Sequence, residues 1–437
     1  MSINTHELAR RRRDLMLKMS SSGVAIIPAA SLTTRSRDTE YVFRQDSDFF
    51  YLTGFTEPEA MMVLAPEREE GEYIVFCQPK NAEKELWEGR REGPDGLVQN
   101  YGVDEAHAID ELEHMLPKLL QGRDRIYYPV GQDTAFDQQV TGWLNSAKAK
   151  VRSGITPPRE LSDVTYLLHE MRLLKSESEL AILSAAGELG ARAHIRAMNK
   201  CKPGMYEYQL EAEILHEFAS NGARSPAYTS IVGGGQNACI LHYNANDQQL
   251  DDGDLVLIDA GCELAGYATD ITRTFPVNGK FSEPQRTLYT LVLKAQEAAL
   301  EKVKAGLRWN EPHDEAVRVI TQGLVDLGLL TGEVDALIED EKYKDFYMHR
   351  IGHWLGMDVH DVGAYKIGGD WRVMEPGMVM TVEPGIYVNP ENQNVAAKWR
   401  GIGIRIEDVV AVTKDGCRIL TGDVPKAPDD IEALMAM

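Results

Sequence analysis

The segment DLVLIDAGCELAGYATDITRTF (254–275) decides how the second half of the chain is read. DLVLIDAG (254–261) and GYATDITRTF (266–275) are β-like runs, and the residues between them make a turn-sized connection, so a hairpin is predicted. With the turn centred on Leu264 and Ala265, Asp259 falls directly opposite Asp270. Opposed residues project from one face with Cβ atoms about 5 Å apart. Two ionised carboxylates that close repel, and one is driven toward its neutral form unless a cation sits between them. A divalent metal removes that penalty. The alternative for this pair alone is two solvent-facing aspartates on an exposed hairpin.

Further acids and imidazoles lie outward from this segment. In MVMTVEPGIYV (378–388), Val379, Thr381 and Glu383 share one parity of a strand that Pro384 and Gly385 interrupt. In GIGIRIEDVVAV (401–412), Ile402, Ile404 and Ile406 form one face and Gly403, Arg405 and Glu407 the other. An acid inside so apolar a run needs a partner, because burying a lone carboxylate costs several kcal/mol. Arg405 could supply it as a plain ion pair, the alternative to metal ligation by Glu407. His349, His353 and His360 crowd into MHRIGHWLGMDVHDVG (348–363), whereas His114, His216 and His313 stand alone and read as structural. Arg350, not glutamate, follows His349, so this is not the zinc-protease HExxH pattern. Asp259, Asp270, His353, Glu383 and Glu407 together form an oxygen-rich donor set with one imidazole. Such a set favours manganese, cobalt or iron over a thiolate-preferring zinc. Because carboxylates bridge, these side chains can hold two ions about 3.5–4 Å apart with a water between them, a constellation suited to amide hydrolysis.

DAGCELAGYATDITRTFP, HRIGHWLGMDVHDVG, TVEPGIY and GIGIRIEDVV resemble the metal motifs of the pita-bread metallopeptidases, the family of methionine aminopeptidase, prolidase, creatinase and aminopeptidase P. FRQDSDFFYLTGFTEPEA (43–60) resembles the N-domain motif of the aminopeptidase P and prolidase branches, which methionine aminopeptidases lack. The resemblance implies an exopeptidase that releases the first residue from peptides with proline in second position, using two divalent ions, Mn²⁺ first, with Co²⁺, Fe²⁺ or Zn²⁺ as alternatives. It further implies that Glu383 takes the proton of the attacking water. His360 would bond the substrate carbonyl or intermediate, His242 would serve the scissile region and His349 would contact the peptide. Tyr228 and Arg405 would steady ligating carboxylates. Outside the resemblance, His242 reads equally as a half-buried strand histidine and Tyr228 as a core aromatic. Trp87, Arg90 and Arg91 resemble a family motif that reaches toward a neighbouring active site, or form a solvated basic patch. Arg350 departs from the family's small residue after the first histidine, either altering the substrate rim or pointing to solvent. A prolidase restricted to dipeptides and a non-catalytic binding protein of the same fold are the competing readings. Family members also imply a homo-oligomer, a dimer or tetramer.

The chain's 437 residues are long enough for two domains with separate cores. Strand-like runs GVAIIPAA, MMVLAP, EYIVFCQP and RIYYPV, with an amphipathic helix over DEAHAIDELEHMLPKLL, predict an α/β domain at 1–172. Ser176 and Glu179 form a capping box opening a helix to about 199. Further helices are predicted near 206–220, 283–305 and 312–328, and together with the acid-bearing strands they give an α+β domain at 173–437. The net charge of −22 disfavours nucleic acid and anionic membranes as partners. No apolar run approaches the roughly 20 residues that span a bilayer. The five cysteines are scattered without CxxC spacing and suit a reducing compartment. The N-terminal stretch reads as a helix and a strand rather than a secretory signal, so the cytoplasm is expected.

Overall fold

Residues 3–436 are described by a computed structural model. The chain divides into two units, one ending at Met171 and the other beginning at Arg172. In the first, runs of branched and aromatic residues favour a buried pleated surface and form the strands Gly23–Pro28, Met61–Leu64, Tyr73–Cys77 and Arg125–Tyr128. Glu105–Ala108 and Glu160–Asp163 flank them to complete a six-stranded mixed sheet. Leu112, Leu116, Val140 and Trp143 from two helices pack against its apolar face. The helix expected over 104–120 is shorter. Glu105–Ala108 instead pairs in parallel with Ile74–Cys77, and only Leu112–Leu119 is α-helical. Pairing with a sheet edge outweighs the helical periodicity of the first turn.

The second unit is α+β. Ser176 caps the helix Glu177–Lys200 through reciprocal bonds with Glu179. Helices Glu207–Ser220, Glu283–Leu300 and Glu311–Asp326 follow. All pairings between strands in this unit are antiparallel. Ile231–Gly234, Leu255–Asp259 and Thr272–Pro276 form one sheet, and Val379–Val382, Asp408–Val412 and Cys417–Ile419 another. Gly385–Tyr387 pairs with Gly403–Arg405. One apolar core runs from Leu288, Val292 and Ala295 on the helices to Val256, Ile258, Met380, Ile404 and Val410 on the strands. Among the described residues no helix is long and apolar enough to cross a membrane.

The hairpin that opened the sequence reading is present with a different register. Its turn centres on Ala265 and Gly266, with φ of 51° and 82°, the pair of positive angles that a two-residue type I′ connection requires. Leu264 therefore pairs with Tyr267 and Asp259 with Thr272. Asp259 is not directly opposite Asp270, as expected from a turn at Leu264 and Ala265. Asp270 lies two positions along, on the diagonal of the same face, still within reach of long side chains and a shared partner.

Candidate metal centre

Each acid sits where a strand ends or breaks. Asp259 closes Leu255–Asp259, and Asp270 precedes Thr272–Pro276. Glu383 occupies the Pro384 interruption between Val379–Val382 and Gly385–Tyr387, and Glu407 joins Gly403–Arg405 to Asp408–Val412. His353 is brought up by a loop tied to the neighbouring strand, with Thr381 N–H donating to its carbonyl and its own N–H to Thr381 Oγ1. Gly352 makes that approach feasible, since a Cβ there would meet the Thr381 carbonyl oxygen at 2.1 Å.

These five side chains, with Tyr228, His242, His349, His360 and Arg405, line one cavity of about 420 Å³. Ligand atoms of Asp270, His353 and Glu407 lie within 4.8 Å of one another. His353 Nε2 is 3.5 Å from Asp270 Oδ2 and 3.6 Å from Glu383 Oε1. Its Nδ1 bonds the Trp354 carbonyl at 3.0 Å, which fixes the ring so that Nε2 faces the acids. Asp270 and Glu407 are 5% and 1% exposed. Burial, then the charge of Asp259, pushes the Asp270 carboxyl up. Burial, then Asp270 and Glu383, pushes Glu407 well up. Glu383 is raised by burial against the opposing pull of His353 and Arg405. For His353 burial acts downward, yet its bond to Asp270 and the charges of Glu383 and Asp270 together carry it to about 9. Buried acids that repel one another around a single imidazole are donors that divalent cations satisfy, so the residues fit a metal site.

A second layer holds the donors. The Tyr228 hydroxyl is 2.6 Å from Asp259 Oδ1 and also contacts Asp270 Oδ1, so one phenol steadies both carboxylates. Arg405 does not pair with Glu407, the alternative open from sequence. Its Nη2 donates to Asp259 Oδ2 at 2.6 Å and its Nε to Thr272 Oγ1 at 3.1 Å, while Thr272 Oγ1 donates to Glu407 Oε2 at 2.7 Å. Behind Glu407, the fully buried Arg273 bonds the Glu407 carbonyl and Asp408 Oδ1. Sequence reasoning missed Thr272, Arg273 and Tyr387. Tyr387 shares strand parity with Glu383 in TVEPGIY, a signal that could have found it. Its hydroxyl accepts from Arg405 Nη1 at 3.0 Å and lies 2.9 Å from His349 Nε2.

That contact bears on His349. Its Nδ1 lies 2.8 Å from the Arg350 carbonyl, so both ring nitrogens are engaged within the protein. His242 and His360 are exposed on the cavity wall, and His242 lies outside any strand. The His360 ring packs edge-on to His353 at 4.3 Å, and burial followed by the neighbouring His353 lowers its pKa. In the first unit, Trp87 is 83% exposed on the helix Ala82–Glu88, and Arg91 is held by Glu88.

Carboxylates and an imidazole around one cavity of an α+β scaffold define a metal-dependent hydrolase. The chain belongs to the metallopeptidase family M24, whose profile matches residues 181–414, and residues 8–127 match the aminopeptidase P N-terminal domain. It is 48% identical over 435 residues to the Xaa-Pro aminopeptidase of Escherichia coli K12, covering 99% of this chain and 98% of that one. Pseudomonas aeruginosa aminopeptidase PepP is 56% identical and superposes with a TM-score of 0.99 over 100% of this chain and 98% of its own. Zinc-substituted E. coli aminopeptidase P in complex with product matches at 48% identity and a TM-score of 0.97, covering 100% and 99%.

Proposed function

We propose that the protein is a metal-dependent Xaa-Pro aminopeptidase, releasing the first residue of peptides whose second residue is proline. The observation that carries this reading is the convergence of Asp259, Asp270, His353, Glu383 and Glu407 on one cavity, in a chain similar along its length to Xaa-Pro aminopeptidases. When bound there, two divalent cations supply Lewis acidity and an acidified water. The chain's own groups do the rest. Glu383, on the cavity wall with Oε1 3.6 Å from His353 Nε2, is the carboxylate that would accept a proton from the attacking water. His360 and His242 stand free on the wall to donate to the substrate carbonyl and the scissile region. His349, locked by Tyr387 and Arg350, offers a flat face against which a proline ring packs. An Xaa-Pro bond lacks an N–H and has a fixed φ, so a site that reads rings rather than backbone donors suits it.

The carboxylate-rich donors favour Mn²⁺ as the native ion. The five free cysteines, three of them only partly buried, fit a cytoplasmic enzyme, and we extend to this chain the family expectation of a dimer or tetramer. The test is Mn-supplemented hydrolysis of a matched set: Xaa-Pro, Xaa-Pro-Yaa, a longer Xaa-Pro peptide and Xaa-Ala-Yaa. First-residue release from the longer proline peptides is expected. Cleavage of the dipeptide alone would make the protein a prolidase, and metal uptake without cleavage would make it a binding protein.

A further inference from the structure

Arg350 follows His349 directly, and the structure shows how its side chain is held. Its carbonyl accepts from His349 Nδ1, which anchors the backbone beside the site, while its side chain lines the same cavity as His349, His353 and Glu383. The guanidinium carbon lies 5.3 Å from the centroid of the Trp371 ring, which also carries Lys366 Nζ at 4.3 Å. Trp371 is a firm support. It stacks on Trp309 at 5.5 Å, Trp309 packs edge-on to Tyr365 at 4.7 Å, and Tyr365 stacks on Trp354 at 5.5 Å. Trp354 directly follows His353, so this aromatic column ties the rim to the metal-site loop. The Trp371 carbonyl is held by Arg308 Nη1 at 3.0 Å.

Arg350 is thus an exposed, positioned guanidinium at the cavity wall. Among the described residues no carboxylate lies within 4 Å of it and nothing accepts its hydrogen bonds, and the Trp371 ring is what it rests against. The cavity's other arginine, Arg405, is fully engaged by Asp259, Tyr387 and Thr272. An arginine fork is shaped to grip a carboxylate, and ring stacking leaves its N–H edge available for that.

Resting on the aminopeptidase reading, we propose that Arg350, on its Trp371 support, is a specificity-determining residue that binds a carboxylate of the peptide on the leaving side of proline. The carboxylate is either the free C-terminus of a tripeptide or the side chain of an acidic third residue. A rim contact of this kind acts equally on bound substrate and transition state, so it enters KM rather than kcat.

The experiment compares two peptide pairs in the Mn-loaded enzyme: Ala-Pro-Ala with its C-terminal amide, and the amidated pentapeptides Ala-Pro-Glu-Ala-Ala and Ala-Pro-Gln-Ala-Ala. The wild type should favour the acid in at least one pair by about fivefold in kcat/KM, the scale of a solvent-exposed charge pair. The first pair reports the terminal carboxylate and the second the side chain. Arg350→Gln should bring that ratio to about one, and Arg350→Lys should keep part of it. A ratio of about one for both pairs in wild type, or a preference surviving unchanged in Arg350→Gln, would overturn the inference while leaving the peptidase assignment intact. Failure to cleave any of the four would sink the assignment and this inference with it.

Discussion

At the scale of single residues the site is an electrostatic problem that bound cations would relieve. Asp270 is 5% exposed, beside His353 and in contact with Tyr228. Removing its carboxylate takes a donor from the group formed with His353 and Glu407. Asp270→Ala is therefore expected to lose at least one equivalent of metal, measured by elemental analysis after gel filtration, and with it nearly all turnover. Full metal occupancy in the variant would show that Asp270 is not a donor. Thr272 makes a contrasting case, because its hydroxyl orients Glu407 and Arg405 without facing the cavity. Thr272→Val should weaken metal binding and activity by about 10- to 100-fold, the usual cost of losing an orienting partner, while retaining the fold. Unaltered metal affinity by competition with a chelating dye would assign Thr272 to packing alone.

At the scale of elements, the type I′ turn and the buried ion network are the features most open to test. Ala265 occupies a left-handed conformation at φ 51°, which costs a residue with Cβ about 1–2 kcal/mol and asparagine much less. Ala265→Asn should raise stability by a few tenths to about 1 kcal/mol, read as a higher urea midpoint, without altering activity; a lower midpoint would contradict the turn assignment. Arg273 and Asp408 form an ion pair with both side chains 0% exposed, joined by Lys426 at 2.7 Å and Gln296 at 3.2 Å. Asp408→Asn leaves the buried Arg273 and the half-buried Lys426 uncompensated and should destabilise by about 3–5 kcal/mol. Stability within error of wild type would mean that water or another group already compensates them. The same two features mark the limit of what was legible in the chain. Helix starts carried local chemistry, so the Ser176 and Glu179 box located Glu177–Lys200. Alternation exposed the acid-bearing strands, and the crowded histidines pointed to the cavity. The hairpin register was missed by one turn position, because alanine does not announce a left-handed angle as glycine or asparagine does. Arg405 drew its partner from Asp259, 146 residues away, rather than from Glu407 on its own face. Thr272 and Arg273 were invisible for the same reason: their roles depend on a strand brought alongside from 134 or more residues later.

At the scale of the whole molecule, folding keeps two buried histidines neutral, and this contributes to how the protein responds to acid. His194 is fully buried, with Nε2 3.0 Å from the Ala260 carbonyl. Burial lowers it to about 4, with Arg273 adding to the effect against the opposite pull of the Ala260 carbonyl and Asp259. His313, 5% exposed, is likewise lowered to about 4 by burial and by Arg350 and Lys344. Both groups titrate near 6.5 when unfolded, so between about 6.5 and 4 the unfolded chain binds protons that the native protein does not. Their contribution to stability then rises with pH across that window and is lost as pH is lowered through it. Each histidine removes about 2 kcal/mol by pH 5 relative to pH 7.5. His194→Gln keeps an amide N–H in reach of the Ala260 carbonyl but cannot take up a proton. Urea titrations of metal-loaded protein at the two pH values should show a smaller loss in His194→Gln than in wild type, whatever the variant's stability at neutral pH. Equal losses would mean that His194 is protonated in the native state, and that a carbonyl and a nearby carboxylate outweigh complete burial.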